Sequence, residues 1–187
     1  MFLLYGIIAL IFFSLFIRQN TLQTMLPFFT AILLMVFYLI MDILNYSRRL
    51  YIEILAPGAI SLIAVSIALN ANWNMMNSLG LCLLLAARFV PTPFYIRARL
   101  KLERTGFAKK SAATFSAGLA FLFIAWLAYI GAVPILGLVA VFILLLRTLL
   151  GLSAYRKKST IKVIGMREFF YGLLLVILSA VGYWYSI

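Results

Sequence analysis

The chain contains no histidine, one cysteine and four acidic residues among its 187 residues. Without histidine it supplies no imidazole ligand to haem or to a metal ion, and no histidine general base. The single Cys82 excludes an intrachain disulfide, a cysteine-rich zinc site and an iron–sulfur cluster. These absences predict a non-enzyme without a metal site. They leave structural lipids, a pigment or a quinone, each held by apolar contact, as compatible cofactors.

Charge as a whole is scarce, and one sign of it dominates. Only 11% of residues are charged and 66% are apolar, with a mean hydropathy of +1.15. A soluble domain has about a quarter of its residues charged. The 16 basic and 4 acidic residues give a net charge of +12. Because the basic residues lie in short segments between apolar runs, they indicate anionic lipid headgroups as partners and exclude nucleic acid.

Apolar runs long enough to cross a membrane, about 20 residues each, dominate the chain. They predict an all-α, polytopic transmembrane helical bundle that forms a single domain over residues 1–187. The seven predicted spans are about 1–17, 25–46, 54–70, 76–96, 111–130, 133–150 and 169–185. Two basic loops, 97–110 and 155–167, fall on the same side as Arg48 and Arg49. The positive-inside rule therefore predicts that this side and the N-terminus are cytoplasmic and that the C-terminus lies outside.

The fourth predicted span combines a charge inside the helix, two prolines and a basic exit. Arg88 lies nine residues before Arg97, which is about 13 Å deeper in an unbroken helix. Pro91 and Pro93 remove two backbone donors and so predict a helix break. A broken helix in lipid must face protein or a water-filled cavity, which would turn Arg88 inward. The alternative is a simple helix end, followed by an amphipathic segment along the membrane interface.

Other charges lie at a similar depth. Arg147 is about as deep as Arg88, and Asp42 lies about 10 Å inside the basic side. An unpaired charge in the membrane centre costs about 2.5–3.5 kcal/mol. We therefore expect Arg88, Arg147 and Asp42 to meet within the bundle, with Glu168 closing the layer. The alternatives are that both arginines extend along their stems to the interface, and that Glu168 only complements the dipole of its helix.

An excess of guanidinium over carboxylate is typical of a site for phosphate or carboxylate. The hypothetical anion or headgroup site consists of Arg88, Arg147, Arg97, Arg99 and Tyr95, with Asp42 and Glu168 as charge partners. The tyrosines near the basic side also fit an interfacial aromatic belt, which needs no site.

Two stretches, 88–106 (RFVPTPFYIRARLKLERTG) and 162–172 (KVIGMREFFYG), resemble the YwiC-like family of bacterial integral membrane proteins. That family has an Arg-Phe-Val-Pro…Tyr-x-Arg-x-Arg-Leu pattern at the end of one helix and Gly-x-x-Glu at the start of a later one. The resemblance covers about the C-terminal two-thirds and implies a polytopic protein with no established activity. Family members open with a His-Gly-Ala-Trp segment, which this chain lacks. The family is distantly similar to UbiA-type prenyltransferases, whose Asp-rich magnesium motifs are also absent here.

The scarcity of catalytic groups favours a non-catalytic integral membrane subunit or accessory protein of a larger complex, respiratory or photosynthetic, in the bacterial inner membrane. Its basic loops would contact lipid headgroups or other membrane subunits. The alternative is a binder or carrier of an anionic amphiphile, with the arginine-rich notch on the cytoplasmic side as its site. A lipid-modifying enzyme that uses Asp42 or Glu168 with the arginines is the least favoured hypothesis.

Overall fold

The computed structural model describes residues 14, 21–46 and 49–186, so the first predicted span, 1–17, lies outside the described residues apart from Ser14. Arg48 also lies outside them. Within these ranges the regular elements are all α-helical, which confirms the predicted class. They are α1 (Leu22–Ile43), α2 (Leu50–Asn70), α3 (Met75–Phe89), α4 (Pro91–Thr105), α5 (Ser111–Tyr129), α6 (Ile135–Gly151) and α7 (Ile161–Ser186).

Several of these helices have the length and composition of membrane spans. Five helical stretches in the described part of the chain are long and apolar enough to cross a membrane: Thr24–Ile43, Leu50–Asn70, Met75–Thr105, Ser111–Tyr129 and Ile161–Tyr185. The apolar α6 has 17 residues, or about 26 Å, slightly less than the ~30 Å hydrocarbon core. The molecule is therefore a helical membrane protein, and the total of seven spans stays a prediction.

The helix break predicted at Pro91 and Pro93 is confined to one residue in the structure. Val90 alone separates α3 from α4, and its φ of −73° and ψ of −50° are helical. Pro91 occupies the first position of α4, a position that proline favours because its fixed φ already suits a helix. The Thr92 hydroxyl donates to the Arg88 carbonyl at 2.6 Å. The chain thus keeps a helical course over the 31 residues from Met75 to Thr105.

Both predicted basic loops are shorter than the sequence suggested, and this is a correction. The loop 97–110 is helical through Thr105, and the loop 155–167 is helical from Ile161 onward. Helix-forming residues fill the end of α4, and the i,i+4 pair of Arg99 and Glu103 at 2.9 Å supports it. At 31 residues, or about 46 Å, the combined α3–α4 helix exceeds the membrane core, so α4 extends beyond it.

Contacts between helices place the basic segments together. Arg97 pairs with Glu53 near the start of α2 at 3.0 Å, and Arg99 donates to the Lys157 carbonyl at 2.8 Å. We call this end of the bundle, with its loops 106–110 and 152–160, the basic end. At the opposite end the Trp73 and Tyr183 rings lie 4.8 Å apart.

The apolar core lies among α3, α5, α6 and α7. Leu84, Ile124, Val141 and Leu175, one from each of these helices, belong to one buried cluster. Helix α1 packs mainly on α2, which in turn packs on α3. Large apolar side chains cover much of the outer surface, as expected for helices that face lipid on one side and protein on the other.

Gly80 permits the close approach of α3 to the turn between α5 and α6. A Cβ atom at Gly80 would lie 2.9 Å from the Ala132 carbonyl carbon and 3.2 Å from the Tyr183 hydroxyl. Because the carbonyl belongs to the backbone, it cannot rotate away. We expect Gly80→Ala to lower the free energy of unfolding by about 1–3 kcal/mol, measured by denaturant unfolding in mild detergent.

Gly118 in α5 provides the matched control, because a Cβ atom there would meet nothing within 4 Å. Gly118→Ala should leave stability unchanged or raise it by up to about 1 kcal/mol, since alanine has the higher helix propensity. Equal effects of the two substitutions would contradict the close approach at Gly80.

Candidate anion-binding site at the basic end

A buried ion pair between α6 and α7 forms the centre of the site. Arg147 Nη1 donates to Glu168 Oε2 at 2.7 Å, and the two side chains are only 4% and 13% exposed. Removing one partner would leave the other charge buried and uncompensated, at a cost of about 3–5 kcal/mol. Arg147 Nε is buried without a hydrogen-bond partner among the described residues, so the guanidinium retains one donor for a further acceptor.

Aromatic rings hold the Arg147 guanidinium in place. Its carbon lies 4.3 Å from the centroid of Tyr95 and 5.8 Å from that of Tyr171, both within cation–π range. The Tyr95 ring packs on Gly151, where a Cβ atom would approach its Cζ to 3.0 Å. Tyr95 is buried at 6% exposure, whereas Tyr155 is 97% exposed. Tyr95 is therefore a buried part of the site, whereas Tyr155 lies at its exposed edge.

Arg88 reaches the same region from α3. Its Nη2 lies 3.5 Å from the Glu168 carbonyl oxygen, a long hydrogen bond. The guanidinium rests against α7 at Gly172, where a Cβ atom would lie 2.7 Å from Nη1. Arg88 and Arg147 line a common void of about 10 Å³, roughly the space of one water molecule. The two arginines therefore meet inside the bundle, as predicted from their depths.

Two other predicted site residues lie elsewhere. Asp42 is exposed near the end of α1, which packs mainly on α2. It forms no ion pair within the part of the chain that the structure describes, and Arg147 pairs with Glu168 instead. Arg97 pairs with Glu53, and both side chains are well exposed at 45% and 37%. The assignments of Asp42 as a partner of the arginines and of Arg97 to the site are therefore corrected.

Arg99 joins α4 to the end of α6 and to the loop that follows α6. Its side chain is 4% exposed and pairs with Glu103 at 2.9 Å, while Nη1 and Nη2 donate to the carbonyls of Gly151 and Lys157. Arg156 supports the same junction, since its Nη2 donates to a carbonyl of α4 at 3.3 Å and its Nε lies 3.7 Å from Glu103. Arg99 thus lines the site, but its guanidinium already bonds to Glu103 and to two backbone carbonyls.

These residues surround a cavity of about 280 Å³, the basic-end cavity. This volume is near the lower limit of ligand pockets and suits a small polar group. Five basic side chains line it against one carboxylate. The charged lining residues are Arg99, Arg147, Arg156, Lys157, Arg167 and Glu168, and the aromatic ones are Tyr95, Tyr155 and Tyr171. The cavity therefore has the charge to hold an anion.

Several residues of the site were not predicted from the sequence. Glu103 was detectable, because it lies four residues after Arg99 on a helix. The glycines Gly151 and Gly172 carry no local sign that a side chain from another helix rests on them. Among the described residues, no three His, Cys, Asp or Glu side chains group into a metal site. No family model, no curated protein and no solved structure matches the chain.

Proposed function

We propose that the protein is a non-catalytic membrane protein that binds the anionic group of a phosphate- or carboxylate-bearing ligand in the basic-end cavity. The observation that carries this proposal is the excess of five basic side chains over one carboxylate in the cavity lining. Glu103, which pairs with Arg99 and Arg156 from outside the lining, reduces this excess to three positive charges. Guanidinium groups match the geometry of phosphate and carboxylate oxygens. Electrostatic attraction is also stronger at a partly buried site than in water.

The contacts that Glu168 and Arg147 make support binding over catalysis. Glu168 is the single carboxylate in the cavity lining, and its Oε2 is held by Arg147 at 2.7 Å. A carboxylate engaged in this way serves to position the arginine. Arg147 Nε is buried and has no hydrogen-bond partner among the described residues, while Lys157 and Arg167 lie exposed at the rim.

The distribution of charge supports a proposed placement in the membrane. We infer that the basic end faces the cytoplasm of a bacterial cell, since basic loops are retained on that side of the inner membrane. Membership in the YwiC-like family is part of the same proposal. It is supported by the two resembling stretches, 88–106 and 162–172, which contribute Arg88, Tyr95 and Glu168 to the site.

The predicted role as an accessory subunit stays a separate prediction. Purification in mild detergent checks it, because a subunit would bring a stoichiometric membrane partner with it. A monodisperse single chain that binds anions by itself would favour the binding function alone.

The test of the proposed function compares two double variants with equal changes of charge. Lys157→Gln/Arg167→Gln removes two exposed cations at the cavity, whereas Lys109→Gln/Lys162→Gln removes two exposed cations outside its lining. We expect the first to weaken binding of inorganic pyrophosphate about tenfold, equivalent to about 1.4 kcal/mol. The second should change it less than about threefold, because these two lysines lie outside the lining and exposed charges are screened by salt.

Isothermal titration calorimetry of the purified protein measures its affinity for pyrophosphate. Native mass spectrometry measures its binding of phosphatidic acid. Binding of phosphatidic acid alone would assign the anion to a lipid headgroup, and binding of pyrophosphate alone to a soluble ligand. Equal losses in the two double variants, or no binding of either probe by the unmodified protein, would refute the proposed site.

A further inference from the structure

An apolar groove runs between α3 and α7 on the outer surface of the bundle. It has a volume of about 620 Å³, within the range of ligand pockets. Among the described helices, α7 packs principally on α6, which leaves the groove open between α7 and α3. Its walls are Trp73, Leu81 and Leu85 on one side and Val176, Ala180 and Tyr183 on the other. We call it the α3–α7 groove.

The two ends of the groove differ in chemistry. At the end away from the basic loops, the Trp73 and Tyr183 rings meet at 4.8 Å, and the Tyr183 hydroxyl donates to the Ala132 carbonyl at 3.3 Å. At the other end, one helical turn beyond the apolar walls, the Arg88 guanidinium rests on Gly172. Aromatic rings thus line the groove at one end, and a cation lies about one helical turn beyond its lining at the other.

The cation belongs to the site already described. Arg88 and Arg147 line one small void, and Arg147 also lines the basic-end cavity. A molecule lying in the groove with a negative group at its inner end would therefore reach Arg88 first and the cavity next. The apolar walls of the groove and the charged groups of the site thus follow one another along α3 and α7.

The dimensions suit one hydrocarbon chain. Trp73 lies two residues before α3, and from Met75 to Arg88 the helix rises over thirteen residues. This is about 20 Å and fits within the ~30 Å hydrocarbon core. An apolar wall alone cannot select a lipid, because bulk lipid tails are equally apolar. The Arg88 guanidinium supplies the selection, since it favours a negatively charged headgroup over a zwitterionic one.

We propose that the α3–α7 groove holds one hydrocarbon chain of an anionic lipid, whose phosphate lies at Arg88 and extends toward the basic-end cavity. This inference rests on the proposed anion site and names its ligand class as a membrane lipid that enters sideways from the bilayer. In this arrangement Gly172 is a positioning residue, because a side chain there would displace the Arg88 guanidinium.

Two pairs of variants on α7 test the inference. Ala180→Phe fills the groove, whereas Ile177→Phe enlarges an exposed residue outside its lining. Gly172→Ala displaces Arg88, whereas Gly165→Ala meets nothing within 4 Å. Ala180→Phe and Gly172→Ala should each weaken phosphatidic acid binding about tenfold by native mass spectrometry. Ile177→Phe and Gly165→Ala should leave it within about twofold. Phosphatidylcholine with the same chains should bind weakly to every form.

Pyrophosphate titration separates the two proposals. The groove inference is overturned if Ala180→Phe binds both phosphatidic acid and pyrophosphate as the unmodified protein does, or if phosphatidylcholine competes equally. The proposed function fails instead if the unmodified protein binds no pyrophosphate and does not distinguish the two lipids.

A crosslinking measurement needs no variant. Phosphatidic acid with a photoreactive group in mid-chain should label peptides of α3 and α7 in the unmodified protein. Labelling confined to α1 and α2 would overturn the inference.

Discussion

Glu168→Gln is expected to lower the free energy of unfolding by about 3–5 kcal/mol. The substitution removes the counter-charge of Arg147, whose side chain is 4% exposed and has its carboxylate partner at 2.7 Å. A buried charge that loses its partner retains its full desolvation cost. Equilibrium unfolding in mild detergent, followed by circular dichroism, gives the difference.

Asp42→Asn is the matched control, because it removes the same charge from an exposed carboxylate on α1. Its effect should stay within about 0.5 kcal/mol, as for other surface substitutions. Equal losses in both variants, or a larger loss for Asp42→Asn, would show that Asp42 and not Glu168 neutralises the buried arginines.

The double variant Arg147→Met/Glu168→Gln should fold close to normally and yet lose anion binding. Replacing both members of a buried ion pair by groups of similar volume is often neutral for stability. The net charge of the protein does not change, so long-range attraction of an anion stays the same. Hydrogen bonds to charged groups are worth about 1.5–3 kcal/mol, so loss of the Arg147 donor should weaken binding by about 10–100-fold.

The comparison of unfolding and binding in this one variant separates two roles of Arg147. If the arginine only holds the bundle together, the folded double variant will bind pyrophosphate and phosphatidic acid as tightly as the unmodified protein. A folded variant with strongly weakened binding of either probe shows that the guanidinium contacts the ligand. The unfolding curve supplies the check that binding is compared between folded proteins.

The helices could be predicted from the sequence because the bilayer imposes their length. Each apolar run of about 20 residues has one stable arrangement in lipid, a helix that satisfies its own backbone. The predicted helix boundaries at the basic end were less accurate than the predicted spans. The helix-forming residues after Arg97 and before Glu168 continue α4 and begin α7, and the excess of basic residues there does not distinguish a loop from a helix that extends into water.

The site was predicted in part, because the spacing of charges gives their depth but not their neighbours. Arg88, Arg147 and Glu168 lie at compatible levels and do meet. Asp42 also lies at a suitable depth in the membrane. It does not reach Arg147, because its helix, α1, packs mainly on α2. Which helices adjoin is decided by packing over their whole length, including glycines such as Gly172 that admit a side chain from another helix.

The central claim is that the basic-end cavity and the α3–α7 groove together bind an anionic lipid. Native mass spectrometry of the unmodified protein, purified in mild detergent without added lipid, tests it most directly. The predicted result is a single chain that retains one phosphate-bearing lipid after bulk lipids have been removed. A chain that carries no lipid, or that carries only zwitterionic lipid in the proportions of the surrounding membrane, would contradict it.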